Sequence, residues 1–78
     1  MPYHEPMIED VVAEIVATVL EVSARPGQPV VVGDTLLLLD SMKMEIPVLA
    51  EYDGVLDTVT VVAGDQVRAG DVLATYRR

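Results

Sequence analysis

The chain has 78 residues, no cysteine and a formal net charge of −8, with 13 Asp and Glu against 5 Lys and Arg. That length supports one small core, and without thiols there is no disulfide, cysteine nucleophile or cysteine metal ligand. The acid excess argues against nucleic acid, which needs clustered cations, and no apolar run approaches the roughly 18–20 residues of a membrane span.

Residues 1–10 open with Pro2 and Pro6 and show little periodicity, so they read as a flexible leader to a domain over 11–78. His4 stands alone there and is a stray histidine rather than a ligand. Because the N-terminus also lacks the basic flank and cleavage pattern of a signal peptide, a soluble, cytoplasmic protein is expected.

From Ile8 to Val22 two patterns compete. Ile8, Val11, Val12, Ile15, Val16, Val19 and Leu20 follow a helical spacing, with most acids off that stripe. Yet the stretch is dense in β-branched residues, and the chain holds no Phe or Trp, so its core must come from Val, Leu, Ile and Ala, a strand-forming set.

An internal repeat decides between them. Shifting the sequence by 37 residues places Gly27, Val30, Gly33, Asp34 and Leu36 on Gly64, Val67, Gly70, Asp71 and Leu73. Residues 14–24 then fall on 51–61, where Gly54 interrupts and Pro47 lies just ahead, and where 55–62 reads as strand. Residues 11–22 are therefore two strands with a bend near Ala17. Gly-Asp pairs at 33–34 and 70–71 are turn chemistry, since glycine supplies positive φ and aspartate bonds its own backbone.

Leu36–Asp40 is a continuous apolar run and Glu45–Glu51 follows it closely, which puts Ser41–Met44 at the tip of a tight hairpin. Pro47 and Gly54 shape a strand edge and a turn. Val72–Tyr76 is the last strand, and Arg77-Arg78 reads as a solvated tail. Two copies of one β-motif imply a pseudo-twofold axis. The position equivalent to Lys43 lies near residue 6 or just past Arg78, so the hairpin tip belongs at one pole and residues 6 and 78 near the other.

Lys43 is the single lysine of the chain. Solubility does not require it, because the acids already set the charge. It stands between Met42 and Met44, and Met42-Lys43 lacks the Gly or Asn that two-residue hairpins favour. Methionines usually fill cores; at a hairpin tip they gain little from burial and suit an adaptable contact surface. A local rule broken at one place marks that place as functional.

The segment Asp40-Ser41-Met42-Lys43-Met44 resembles the Glu-Ala-Met-Lys-Met signature of the biotinyl (biotin carboxyl carrier) domains, close cousins of lipoyl domains. Gly33-Asp34 ahead of the lysine, Pro47 and Gly54 behind it, and Val62-Ala63-Gly64-Asp65 and Ala69-Gly70-Asp71 in the second half extend the likeness over about residues 11–76. It is nearest to small free-standing biotinylated proteins. Asp40 and Ser41 depart mildly from the usual Glu and Ala, and there is no room for the "thumb" insertion of some members.

The resemblance implies an all-β, flattened barrel of two four-stranded antiparallel sheets. It implies covalent biotin on Lys43, attached by a biotin protein ligase, with carboxybiotin carrying CO2 from biotin carboxylase to carboxyltransferase. Met42 and Met44 would flank the cofactor, and Asp40, Ser41 and Glu45 would help partners recognise the tip. A free lysine amine is neutral in only about one molecule in a few thousand at pH 7, so the ligase must desolvate and deprotonate it. Lys43 is an attachment site and no residue is catalytic; no nucleophile–base pair, phosphate loop or metal cluster is present, so an enzyme is not expected. A lipoyl-type acyl carrier and an unmodified, biotinyl-like interaction module are the alternatives, the former disfavoured because lipoyl domains usually show Asp-Lys-Ala at the tip. An isolated domain of this kind is expected to be a monomer.

Overall fold

The computed structural model describes residues 7–78. Eight strands follow in order: β1 (Ile8–Val12), β2 (Ala17–Val22), β3 (Pro29–Val30), β4 (Thr35–Ser41), β5 (Met44–Leu49), β6 (Gly54–Val59), β7 (Gln66–Val67) and β8 (Val72–Arg77). They form two four-stranded antiparallel sheets, ordered β1-β8-β6-β3 and β5-β4-β2-β7. The fold is all-β, and no helix among the described residues is long and apolar enough to cross a membrane.

The offset of 37 reappears in three dimensions. It carries β1 onto β5, β2 onto β6, β3 onto β7 and β4 onto β8, and so exchanges one sheet for the other. Even the irregularities obey it. The β-bulge at Val19/Glu21 has its mate at Leu56/Thr58, and that at Thr35/Leu37 its mate at Val12/Val11 against Val72 and Ala74. Gly27 and Gly64, like Gly33 and Gly70, form equivalent pairs with φ between 88° and 99°.

The helical stripe of residues 8–22 is not a buried face: of its members Val19 is buried, while Ile8, Val12, Ile15, Val16 and Leu20 are exposed. An extra residue in β2 steps the inward set from Ala17 and Val19 to Val22, so a strand acquires a three-residue interval. Inside, Leu36, Leu37, Val19, Leu56 and Leu73 are the largest fully buried side chains. Val19 mates with Leu56, Leu36 with Leu73 and Leu39 with Tyr76, so the core is itself a pseudo-symmetric pair of half-cores.

Two expectations at the chain's extremities are corrected. β1 begins at Ile8 and pairs with β8 from Ile8↔Arg77 onward, so residues 8–10 belong to the barrel; residues 1–6, including His4, lie outside the described residues. Arg77-Arg78 is no solvated tail. Arg77 ends β8 with its Nε 3.7 Å from Asp57 Oδ1. Arg78 donates its backbone N–H to the Met7 carbonyl, pairs through Nη1 with Glu9 Oε1 at 3.0 Å, and lays its guanidinium 3.8 Å over the Tyr52 ring. A planar cation beside an aromatic face and a carboxylate is held from two sides.

Candidate functional site

The β4–β5 ladder positions the hairpin tip. Pairing runs Leu39↔Ile46, Asp40↔Glu45 and Ser41↔Met44, leaving Met42 and Lys43 as a two-residue turn. Their φ angles are 52° and 65°, the left-handed pair that a type I′ turn demands. Non-glycine residues pay sterically for that conformation, so the sequence holds two costly residues where Asn-Gly would relax the turn.

Nothing shelters these side chains. Met42 is 92 % exposed and Met44 63 %, and Lys43 is exposed as well. Among the described residues the ion pairs are Arg77–Asp57 and Arg78–Glu9, and Lys43 takes part in neither. Asp40 and Glu45 face each other across the ladder. Like charges placed directly opposite destabilise a sheet, so the tip also carries an electrostatic cost, in the form of an acidic collar behind the amine.

The tip is not a pocket. A groove of about 900 Å³ opens between β1 and β5, lined by Val11, Leu39, Ile46, Val48 and Tyr76, and no residue from 40 to 45 lines it. The Lys43 side chain therefore stands in open solvent, clear of the groove. The opposite pole holds the mates of the tip's base: Ile8↔Arg77 is the counterpart of Glu45↔Asp40.

The six residues singled out in the sequence, Asp40 through Glu45, thus lie together on one hairpin end. Sequence reasoning missed a neighbour. Ser41 Oγ donates to the Val16 carbonyl at 2.9 Å, fastening the loop 13–16 to the hairpin's base. The available signal was the repeat, which sets Val16 against Asp53.

Residues 3–76 match the model of the family described as "Biotin-requiring enzyme". The chain is 56 % identical over 68 residues to the "Biotinylated protein TB7.3 homolog" of Mycobacterium leprae, covering 87 % of this chain and 96 % of that protein. Its fold matches a domain of a single-chain, multi-domain long-chain acyl-CoA carboxylase with a TM-score of 0.87 and 29 % identity, covering the whole of this chain and 8 % of that one. It also matches the lipoyl domain of the 2-oxoglutarate dehydrogenase complex from Azotobacter vinelandii, with a TM-score of 0.69 and 30 % identity over 78 % of this chain and 77 % of that one.

Proposed function

The chain belongs to the biotinyl/lipoyl domain family, and we propose that it is a biotin carboxyl carrier whose Lys43 is acylated by a biotin protein ligase. The observation that carries this reading is the exposed amine between two exposed methionines at the apex of a strained turn. That geometry is suited to insertion into another protein's active site. The side chain is long, unpaired among the described ion pairs, and mounted on a rigid two-strand ladder.

Lys43 Nζ would attack the carbonyl of an adenylate-activated biotin, forming an amide, releasing AMP and losing a proton to the ligase. The domain keeps the amine in water until then and leaves its activation to the ligase. Attached biotin would supply the group that accepts CO2 at a biotin carboxylase and gives it up at a carboxyltransferase. The chain's own part is to present that group. Lysine and the biotin arm together span about 12–15 Å from bonds near 1.5 Å, so the whole domain must travel between sites, and Met42 and Met44 offer apolar surface that adapts to each one. Asp40 and Glu45 provide charge for a basic rim on the partner.

The test is the intact mass of the protein after incubation with a biotin protein ligase, biotin and ATP. One biotinyl group is expected on the wild type and none on Lys43→Ala. Lipoylation in its place, from a lipoate ligase acting on Lys43 while the biotin ligase leaves it unmodified, would overturn the reading in favour of an acyl carrier.

A further inference from the structure

The repeat lets each loop be compared with its mate, and one such pair differs at the end that bears Lys43. The loops 13–16 and 50–53 are mates, and so are the turns 31–34 and 68–71 beside them. Their backbones coincide bond for bond. Gly33 N–H donates to the Ala50 carbonyl at 2.9 Å and Gly70 N–H to the Ala13 carbonyl at 2.8 Å. Ala50 N–H donates to the Asp34 carbonyl at 2.8 Å and Ala13 N–H to the Asp71 carbonyl at 2.9 Å. Asp34 Oδ2 and Asp71 Oδ2 accept from Val31 and Arg68 N–H at 3.0 and 2.8 Å.

The match fails at one fastening. In the loop away from Lys43, Asp53 Oδ1 accepts the Val32 N–H at 2.9 Å and ties loop to turn. In the loop beside Lys43 the mate of Asp53 is Val16, which offers no acceptor to the Ala69 N–H. Val16 is 68 % exposed, and Ile15 next to it 40 %. The loop is held from the other side, by Ser41 Oγ on the Val16 carbonyl. A fastening carboxylate is absent where the fold could use one, an apolar side chain stands in water in its place, and a hydroxyl two residues from Lys43 takes over the anchoring. Scattered exposed valines need no explanation; one that displaces a structural aspartate at the end bearing the amine does.

We infer that Val16, with Ile15, belongs to the surface by which the enzyme that acylates Lys43 recognises this domain, and that Ser41 is a positioning residue that holds the loop in reach. This rests on the reading of Lys43 as the acylated residue. A lysine side chain extends only about 6 Å, from bonds near 1.5 Å, so an enzyme that draws the amine into its active site must close over the atoms around the hairpin. The loop bonded to Ser41 is among them. The partner's matching surface is a small apolar depression rimmed by cations, complementary to Val16, Met42 and Met44 within the acids Glu14, Asp40 and Glu45.

The repeat also supplies the test. Val16→Asp installs the residue that the fold already carries at 53, with the Ala69 N–H as its partner, so the barrel should melt at or above the wild-type temperature. Ligation is followed by intact mass, giving kcat/KM for the ligase on wild type, Val16→Asp, Ser41→Ala and, as a charge-matched change at the other pole, Val31→Asp. Expected is a fall of about tenfold or more for Val16→Asp, the worth of burying a valine side chain, with Val31→Asp unchanged. The sign is informative, because an added acid should speed capture by a basic rim. Ser41→Ala should raise KM more than it lowers kcat. Wild-type rates for Val16→Asp overturn the inference. Should Val16→Asp melt low, the neutral Val16→Ser decides in its place: a slow Val16→Ser supports the contact and a wild-type rate refutes it. A wild type that takes up no biotin refutes the acylation of Lys43 itself, a result separate from any of these.

Discussion

Relaxing the hairpin tip should make the barrel more stable while removing the proposed acylation site. Met42 and Lys43 sit at φ 52° and 65°, and each L-residue with a Cβ in that region costs about 1 kcal/mol. Replacing the pair by Asn-Gly removes about 2 kcal/mol of strain, since asparagine tolerates the conformation and glycine adopts it freely. Glycine's greater freedom in the unfolded chain takes back about 0.5–1 kcal/mol. The net gain is about 1–1.5 kcal/mol, which for a domain of this size raises the melting temperature by about 5–10 °C. Thermal unfolding followed by circular dichroism at pH 7 reads it directly. Lys43→Ala is the control, because it removes the same charge but keeps a Cβ at positive φ, and it should melt near the wild type. An Asn-Gly variant that melts no higher than Lys43→Ala would show that the turn stores no strain.

Two other positions give sharp expectations. A Cβ at Gly54 would run into the Arg77 carbonyl oxygen and the Tyr76 ring, so Gly54→Ala should lose at least about 3 kcal/mol in urea unfolding; its mate is Ala17, where the fold accepts the Cβ. Burial pushes the Tyr76 hydroxyl up from 10.0, against the lowering effect of a hydrogen bond from the Glu51 backbone. A raised phenol contributes stability that is present below pH 10 and lost as the pH climbs through and beyond it. The urea midpoint of the wild type should therefore fall between pH 9 and 11 more steeply than that of Tyr76→Phe, and parallel slopes would refute it.

Much of the architecture was readable because the repeat made each half a reading of the other. Gly54 and Pro47 in the second half corrected a helical spacing in the first, most of whose members stand exposed rather than along one buried face. The turn at Met42-Lys43 was legible as a broken hairpin rule, and both of its residues do adopt positive φ. The losses came where side chains meet across distant sequence. Glu9 and Tyr52 are 69 and 26 residues from the Arg78 that they hold, so no local pattern marks Arg78 as docked. β1 was cut short because its partner is β8, at the far end of the chain. Ser41 looked like a mild change until its hydroxyl was seen on the Val16 carbonyl.

The single lysine raises a last question, whether scarcity or position selects it. Four of the five basic residues are arginines, whose guanidinium stays protonated and cannot serve as an acyl acceptor at neutral pH. A chain with one primary side-chain amine could be acylated there for want of another. If position selects it, the amine must stand on a protruding two-residue turn with exposed apolar flanks. Arg68 separates the two, because it is exposed at the loop-bearing end of the barrel, on the turn that bonds Ala13, yet lies in a turn held flat by Asp71. Arg68→Lys should add an amine without adding a site, so intact mass after ligation still reads one biotinyl group, and Lys43→Arg combined with Arg68→Lys reads none. A second group on the first variant, or one on the second, would mean that the ligase takes whatever lysine this face offers, and that the strain at Met42-Lys43 serves something other than recognition.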